Sequence, residues 1–134
     1  MIHELINEIT EDEGFISKPY KDTLGVLTIG FGTNIEQGIT RPMARAMFET
    51  DLRDKIKELE NKKPFVVMLS EERQKIIFNM VYQLGVGGVL KFKKMWLALE
   101  NEDYKTASIE MLDSKWAKQT PSRAKRLASR MKRG

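Results

Sequence analysis

Residues 11–32 read EDEGFISKPYKDTLGVLTIGFG, and the point where this stretch leaves helical character for strand character decides the fold. Upstream, Ile2, Leu5, Ile6 and Ile9 recur at the spacing of one face of an amphipathic helix. Gly14 is the natural end of that helix. From Phe15 to Asn34, the turn residues Pro19, Asp22 and Gly25 are mixed with Val26, Leu27, Thr28, Ile29 and Phe31. This pattern predicts two or three short antiparallel strands joined by tight turns.

Downstream the pattern is helical. Thr40 and Pro42 mark a helix start, and Met43, Met47, Phe48, Leu52, Ile56 and Leu59 keep one face for about five turns. Ser70 is placed to cap the helix EERQKIIFNMVYQL, with Ile76, Ile77, Met80, Val81 and Leu84 as its core stripe. Gly85 is expected to end it, and GVGG at 85–88 to form a turn. Short helices follow around 90–100 and 103–112. Thr120 and Pro121 then supply an N-cap and a first helical residue for the last helix.

One helix, a small sheet and then only helices make an α+β fold. It is expected as a single domain over residues 1–134: a small antiparallel β-lobe at about 15–35 and a larger all-helical body from 1–13 and 40–134. A cleft between the two is the natural place for a site.

Composition narrows the chemistry. The chain has no cysteine and a single histidine, His3, which excludes disulfides and thiolate metal sites and leaves no basis for a histidine metal centre. No apolar run reaches the length of a membrane span. The N-terminal MIHELINEITEDEG is acidic and amphipathic, unlike a secretory signal, so synthesis and folding in the cytoplasm are expected. Residues 114–134 carry eight Lys or Arg and no acid, against 15 basic and 19 acidic groups elsewhere. Such a tail is either a solvated helix face or an attraction to a polyanion such as a cell envelope. Nucleic acid is the weaker partner, because the basic tail has no interleaved aromatics and no nucleic-acid motif.

Glu13 raises a question of its own. It stands at the end of its helix, where the macrodipole is negative, with Asp12 beside it. Both features disfavour an ionised carboxylate, and an acid that keeps its proton can act as a proton donor. Asp22 sits instead in the strand–turn region, where turn amides can bind its charged form. Two carboxylates in contrasting environments suit glycoside hydrolysis: one protonates the leaving oxygen, and the other supports water or attacks directly. Thr28, on the next strand, can hold that water. Read without further context, such a pair is more often two surface acids, and the Asp of YKDTLG a simple turn former.

The order Glu13–Asp22–Thr28 within EDEGFISKPYKDTLGVLTIGFG resembles the N-terminal signature of the phage-type lysozymes, glycoside hydrolase family 24. RQKIIFNMVYQLGVGGVLKF at 73–92 is similar to that family's central helix and following turn, and SKWAKQTPSRAKR at 114–126 to its Trp–Gln-Thr-Pro–Arg segment. The resemblance implies a lysozyme-like fold and a muramidase or endolysin. It would cleave the β-1,4 bond between N-acetylmuramic acid and N-acetylglucosamine in peptidoglycan without metal or cofactor, as a monomer without stable membrane insertion. Glu13 would be the proton donor, Asp22 the carboxylate that positions water, and Thr28 its partner, with inversion at the anomeric carbon.

Tyr82, Gln83, Thr120 and Arg123 match positions that bind substrate or, for Arg123, pair with the catalytic Glu. Each has a plainer reading as packing, capping or helix-surface charge. The family also implies an enzyme made in the host cytoplasm that reaches the cell wall after release. A catalytically inactive glycan-binding or assembly module is the alternative. Three departures stand out: Thr33 replaces the histidine usual after the G-x-G, only Asn34–Ile39 separate Thr33 from the next helix start, and the chain ends soon after the RAKR helix.

Overall fold

The computed structural model describes all 134 residues. The chain divides into two compact units, Met1–Met47 and Phe48–Gly134. The fold is α+β as expected, with one three-stranded antiparallel sheet and seven α-helices.

The first unit holds α1 (Ile2–Glu13), β1 (Ile16–Lys21), β2 (Leu27–Gly30), β3 (Thr33–Asn34) and the start of α2 (Arg41–Lys62). The strands lie in the order β1-β2-β3. Tyr20 faces Thr28 and Lys21 faces Leu27, whereas Ile16 faces Gly30 in a shifted register. The irregular stretch between Ile16 and Tyr20 contains Pro19, which has no N–H to offer a ladder and is tolerated at an edge-strand bulge. Thr28 and Ile29 pair with Asn34 and Thr33. Thr28, at 4% exposure, is the buried residue of this unit.

The second unit carries the core. After α2 come a 3₁₀ turn (Pro64–Met68), α3 (Glu71–Leu90), α4 (Lys93–Glu100), α5 (Tyr104–Leu112), α6 (Lys115–Gln119) and α7 (Pro121–Arg133). The expected stripe of α3 is the floor of that core: Ile76, Ile77, Met80 and Val81 are fully buried, and Leu84 packs against them. Ser70 caps α3 as expected, its Oγ accepting from the Arg73 N–H at 3.2 Å.

The expected turn at GVGG does not form. Gly85 (φ 77°, ψ 164°) breaks the helix for one residue, and helical structure resumes at once, through Leu90. Only glycine takes that conformation cheaply. Val86 and Val89 are buried beyond the break, so the second segment has a core face of its own to keep it helical.

α7 lies on α3, α5 and α6. Its buried face is Ala124, Leu127, Ala128 and Met131, and the alanines let the neighbouring backbones approach closely. Polar side chains of α3 tie the same two helices together. Glu72 accepts from Arg130 Nε at 2.5 Å. Arg73 donates from Nε to the Met131 carbonyl at 2.9 Å, while its guanidinium carbon sits 3.4 Å from the centre of the Tyr104 ring. Ser70 Oγ donates to the Gly134 carbonyl at 3.1 Å. The last carbonyls of α7, orphaned by the end of the helix, thus receive donors from α3.

The Arg130 hydrogen bond, with that residue's charge, holds the Glu72 carboxyl below its usual value of 4.5. A carboxylate whose folded pKa is depressed stabilises the fold above its unfolded pKa and loses that contribution as pH falls through the folded value. Acidification below pH 4.5 should therefore lower the Tm more steeply in wild type than in Glu72→Gln. Parallel curves in calorimetric scans would show that the pair contributes nothing.

Candidate active site

The catalytic candidates Glu13, Asp22 and Thr28 all belong to the first unit. Glu13 is the last residue of α1, and Gly14 donates its N–H to Thr10 O as the helix stops. The Glu13 carboxyl lies against the backbone of Gly32, in the loop between β2 and β3. A β-carbon placed on Gly32 would stand 2.7 Å from Glu13 Oε2. Phe15 and Phe31, which flank these two residues in sequence, pack with ring centres 5.4 Å apart.

Asp22 organises the turn between β1 and β2. Its Oδ1 accepts from the Leu24 N–H at 2.8 Å and the Val26 N–H at 2.9 Å. Its own N–H donates to Val26 O at 2.9 Å, and its carbonyl accepts from Gly25 at 2.9 Å. The turn amides anticipated from the sequence are therefore present, and Asp22 is a turn former as well as a candidate site residue. Both amides converge on one carboxylate oxygen, so Oδ2 is not spent on the turn. The Thr28 hydroxyl donates to Val26 O at 2.8 Å. This fixes its hydrogen and leaves its oxygen as an acceptor.

The binding candidates belong to the second unit and fall into two groups. Tyr82 and Arg123 line a groove of about 500 Å³ whose walls are Phe48, Leu52, Ile56, Phe78 and Asn79, with Lys75 at its side. Tyr82 meets Phe48 edge-on at 4.8 Å and has Lys55 Nζ 5.3 Å from its ring centre. Both aromatic rings stay substantially exposed. Arg123 gives Nε and Nη2 to Asn79 Oδ1 at 2.9 and 2.6 Å, and Nη2 also reaches the Asn79 carbonyl at 3.3 Å. Asn79 thereby orients the guanidinium.

Gln83 and Thr120 form the second group, with Trp116 between them. Trp116, 3% exposed, donates Nε1 to Gln83 Oε1 at 2.8 Å. Gln83 Nε2 reaches Thr120 Oγ1 at 3.5 Å. The expectation for Thr120 needs correction in one respect. It occupies the N-cap position before Pro121, but its side chain caps nothing. Its hydroxyl donates back to the Trp116 carbonyl at 3.0 Å, the same oxygen that accepts the Thr120 N–H at 2.9 Å as the preceding short helix ends.

The contact of Glu13 with Gly32 was not read from the sequence. The nearest signal in the sequence is the G-x-G of TIGFG, where a missing side chain leaves room for a close neighbour; that neighbour is the carboxyl group itself. Thr33, in place of the histidine of the resembling family, lies exposed in β3 opposite Ile29.

Comparison with known proteins bears on all of these residues together. The phage lysozyme family model matches residues 10–133. Two curated relatives from Dictyostelium discoideum, "Probable T4-type lysozyme 1" and "Probable T4-type lysozyme 2", are each 30% identical. The matches cover 100% and 96% of this chain, and 96% and 94% of the relatives. The "Pre-baseplate central spike protein Gp5" of Enterobacteria phage T4 is 31% identical over 89% of this chain but only 26% of its own length. These matches support a lysozyme-like function. With the three-stranded sheet, the helical second unit and a match that spans Glu13, Asp22, Thr28 and Arg123, the chain belongs to the phage lysozyme family.

Proposed function

We propose that the protein is a glycoside hydrolase that cleaves the β-1,4 bond between N-acetylmuramic acid and N-acetylglucosamine in bacterial peptidoglycan. Glu13 is the general acid that protonates the leaving oxygen. Asp22 holds the hydrolytic water, and Thr28 is its partner. The observation that carries this reading is the division of labour at Asp22. Oδ1 is occupied by two turn amides, which lock the carboxylate in place and leave Oδ2 to accept a hydrogen from water. Thr28, with its own hydrogen given to Val26 O, offers an oxygen for the second hydrogen. A water bound this way turns a lone pair outward, as attack on an anomeric carbon requires.

In this reaction Glu13 loses its proton as the glycosidic bond breaks, and the water loses one to Asp22 as the new C–O bond forms. Inversion follows if that water attacks directly. Tyr82, Gln83, Thr120 and Arg123 supply glycan contacts, with the Tyr82 ring suited to an apolar sugar face and the Gln83 amide to an N-acetyl group. Gln83 does this second to its internal bond with Trp116. The chemistry needs neither metal nor organic cofactor, and we take the working form to be a monomer of one lysozyme-like domain. It is made in the host cytoplasm and acts on the wall after release.

Two variants test the assignment on purified peptidoglycan, with released muropeptides identified by mass spectrometry. Glu13→Gln should reduce turnover by roughly a thousandfold, within the range for loss of a general acid, and leave the Tm equal or raised, since site residues are held at some cost to stability. New reducing N-acetylmuramic acid ends from wild type alone are the expected result. Retained glycan binding with no ends from either protein would make this a lysozyme-shaped binding or assembly module instead. Asp22→Asn should cripple turnover while glycan binding persists, and full activity in that variant would remove Asp22 from the mechanism.

A further inference from the structure

Gly30, the last residue of β2, and Gly32, in the loop that follows, are separated by Phe31, and both have a positive φ, 72° and 73°. A β-carbon on Gly30 would meet nothing within 4 Å. One on Gly32 would stand 2.7 Å from Glu13 Oε2 and 3.2 Å from its Cδ, but 3.7 Å from its Cγ. Both positions have a φ that an L side chain rarely adopts. Within 4 Å of the added β-carbon they differ in one neighbour, and only the carboxyl end of that neighbour is crowded.

We infer that Gly32 is a positioning residue for Glu13: its bare α-carbon is the seat on which the carboxyl group rests. The crowded atoms are the far end of a flexible, exposed side chain, so the carboxyl yields before the backbone does. Glu13 ends α1, so its backbone is set by the helix. The loop is joined to the segment after α1 by the Phe15–Phe31 ring contact, which opposes a retreat of Gly32. A methyl group at position 32 is therefore accommodated by swinging the Glu13 carboxyl away. The consequence for turnover rests on the general-acid role proposed above, whereas the seating itself does not. For a general acid the swing is costly, since a misplacement of about 1 Å can reduce turnover roughly a hundredfold.

Gly30→Ala and Gly32→Ala form a matched pair for the test. Gly32→Ala should reduce kcat by about a hundredfold with KM within about twofold of wild type. Gly30→Ala, with a similarly positive φ and an empty surrounding, should keep kcat within a few-fold. Equal losses of kcat in the two variants would overturn the inference. A second readout is the ¹³C resonance of the Glu13 side-chain carboxyl, which should shift in Gly32→Ala at least twice as far as in Gly30→Ala. If wild type releases no muropeptides, the proposed function fails, and this resonance alone decides the seating: equal shifts overturn it. Should Gly32→Ala not fold where Gly30→Ala does, Glu13→Ala/Gly32→Ala should recover the fold because the crowded group is gone. Its failure to do so would also count against the seat.

Discussion

The second unit depends on an antiparallel match between α3 and the segment that ends the chain. Reading α3 forward and that segment backward, Ser70 meets Gly134, Glu72 meets Arg130, and Arg73 meets the Met131 carbonyl. Asn79 then meets Arg123, and Gln83 meets Trp116 and Thr120. Beneath this ladder lie Ile76, Ile77, Met80 and Val81 from α3 and Ala124, Leu127, Ala128 and Met131 from α7, all buried. Apolar burial supplies the driving force and is indifferent to register. The polar pairs supply register, because a slip would bury an Arg or Trp donor without its acceptor. Arg123 and Gln83 acquire their orientations from this ladder, whereas Tyr82, half exposed, is held only by its ring contacts.

The first unit works on a different principle. It buries Thr28 and little else, and its order comes from local hydrogen bonds rather than from a core. Asp22 ties its turn together through its own backbone and side chain, Thr28 is pinned to Val26 O, and Glu13 is set by a helix end and a glycine. Catalytic candidates in such a setting are positioned by turn chemistry over a few residues, a common way for reactive groups to be held on connecting segments.

These two regimes explain which features could be read from the sequence. The helix periods, the Ser70 cap, the small antiparallel sheet and the Asp22 turn follow from local rules and are found in the fold. Gly85 misled because a glycine after a core stripe usually ends a helix; what overrode it was Val86 and Val89 finding a core, a tertiary effect with no local mark. Thr120 sat at a well-formed cap position, yet its hydroxyl was drawn to a carbonyl four residues back. The Asn79–Arg123 and Gln83–Trp116 bonds join residues 44 and 33 apart. Their partners could not be named from spacing. The pressing of Glu13 on Gly32 was hidden for the same reason, although the G-x-G that permits it was in plain view.

The α3–α7 ladder also bears on the order in which the chain gains structure. Its members are separated by 33 to 64 positions, so the entropy of closing a long loop precedes any of these bonds. During synthesis, α3 emerges long before the helix that satisfies it, and until then its Glu72, Arg73, Asn79 and Gln83 side chains are solvated while its apolar stripe has only α2 and the following short helices to meet. These bonds of the second unit consequently wait until α7 arrives. A ribosome paused before Arg123 would hold a chain with its central helix half-dressed, the kind of species that chaperones engage.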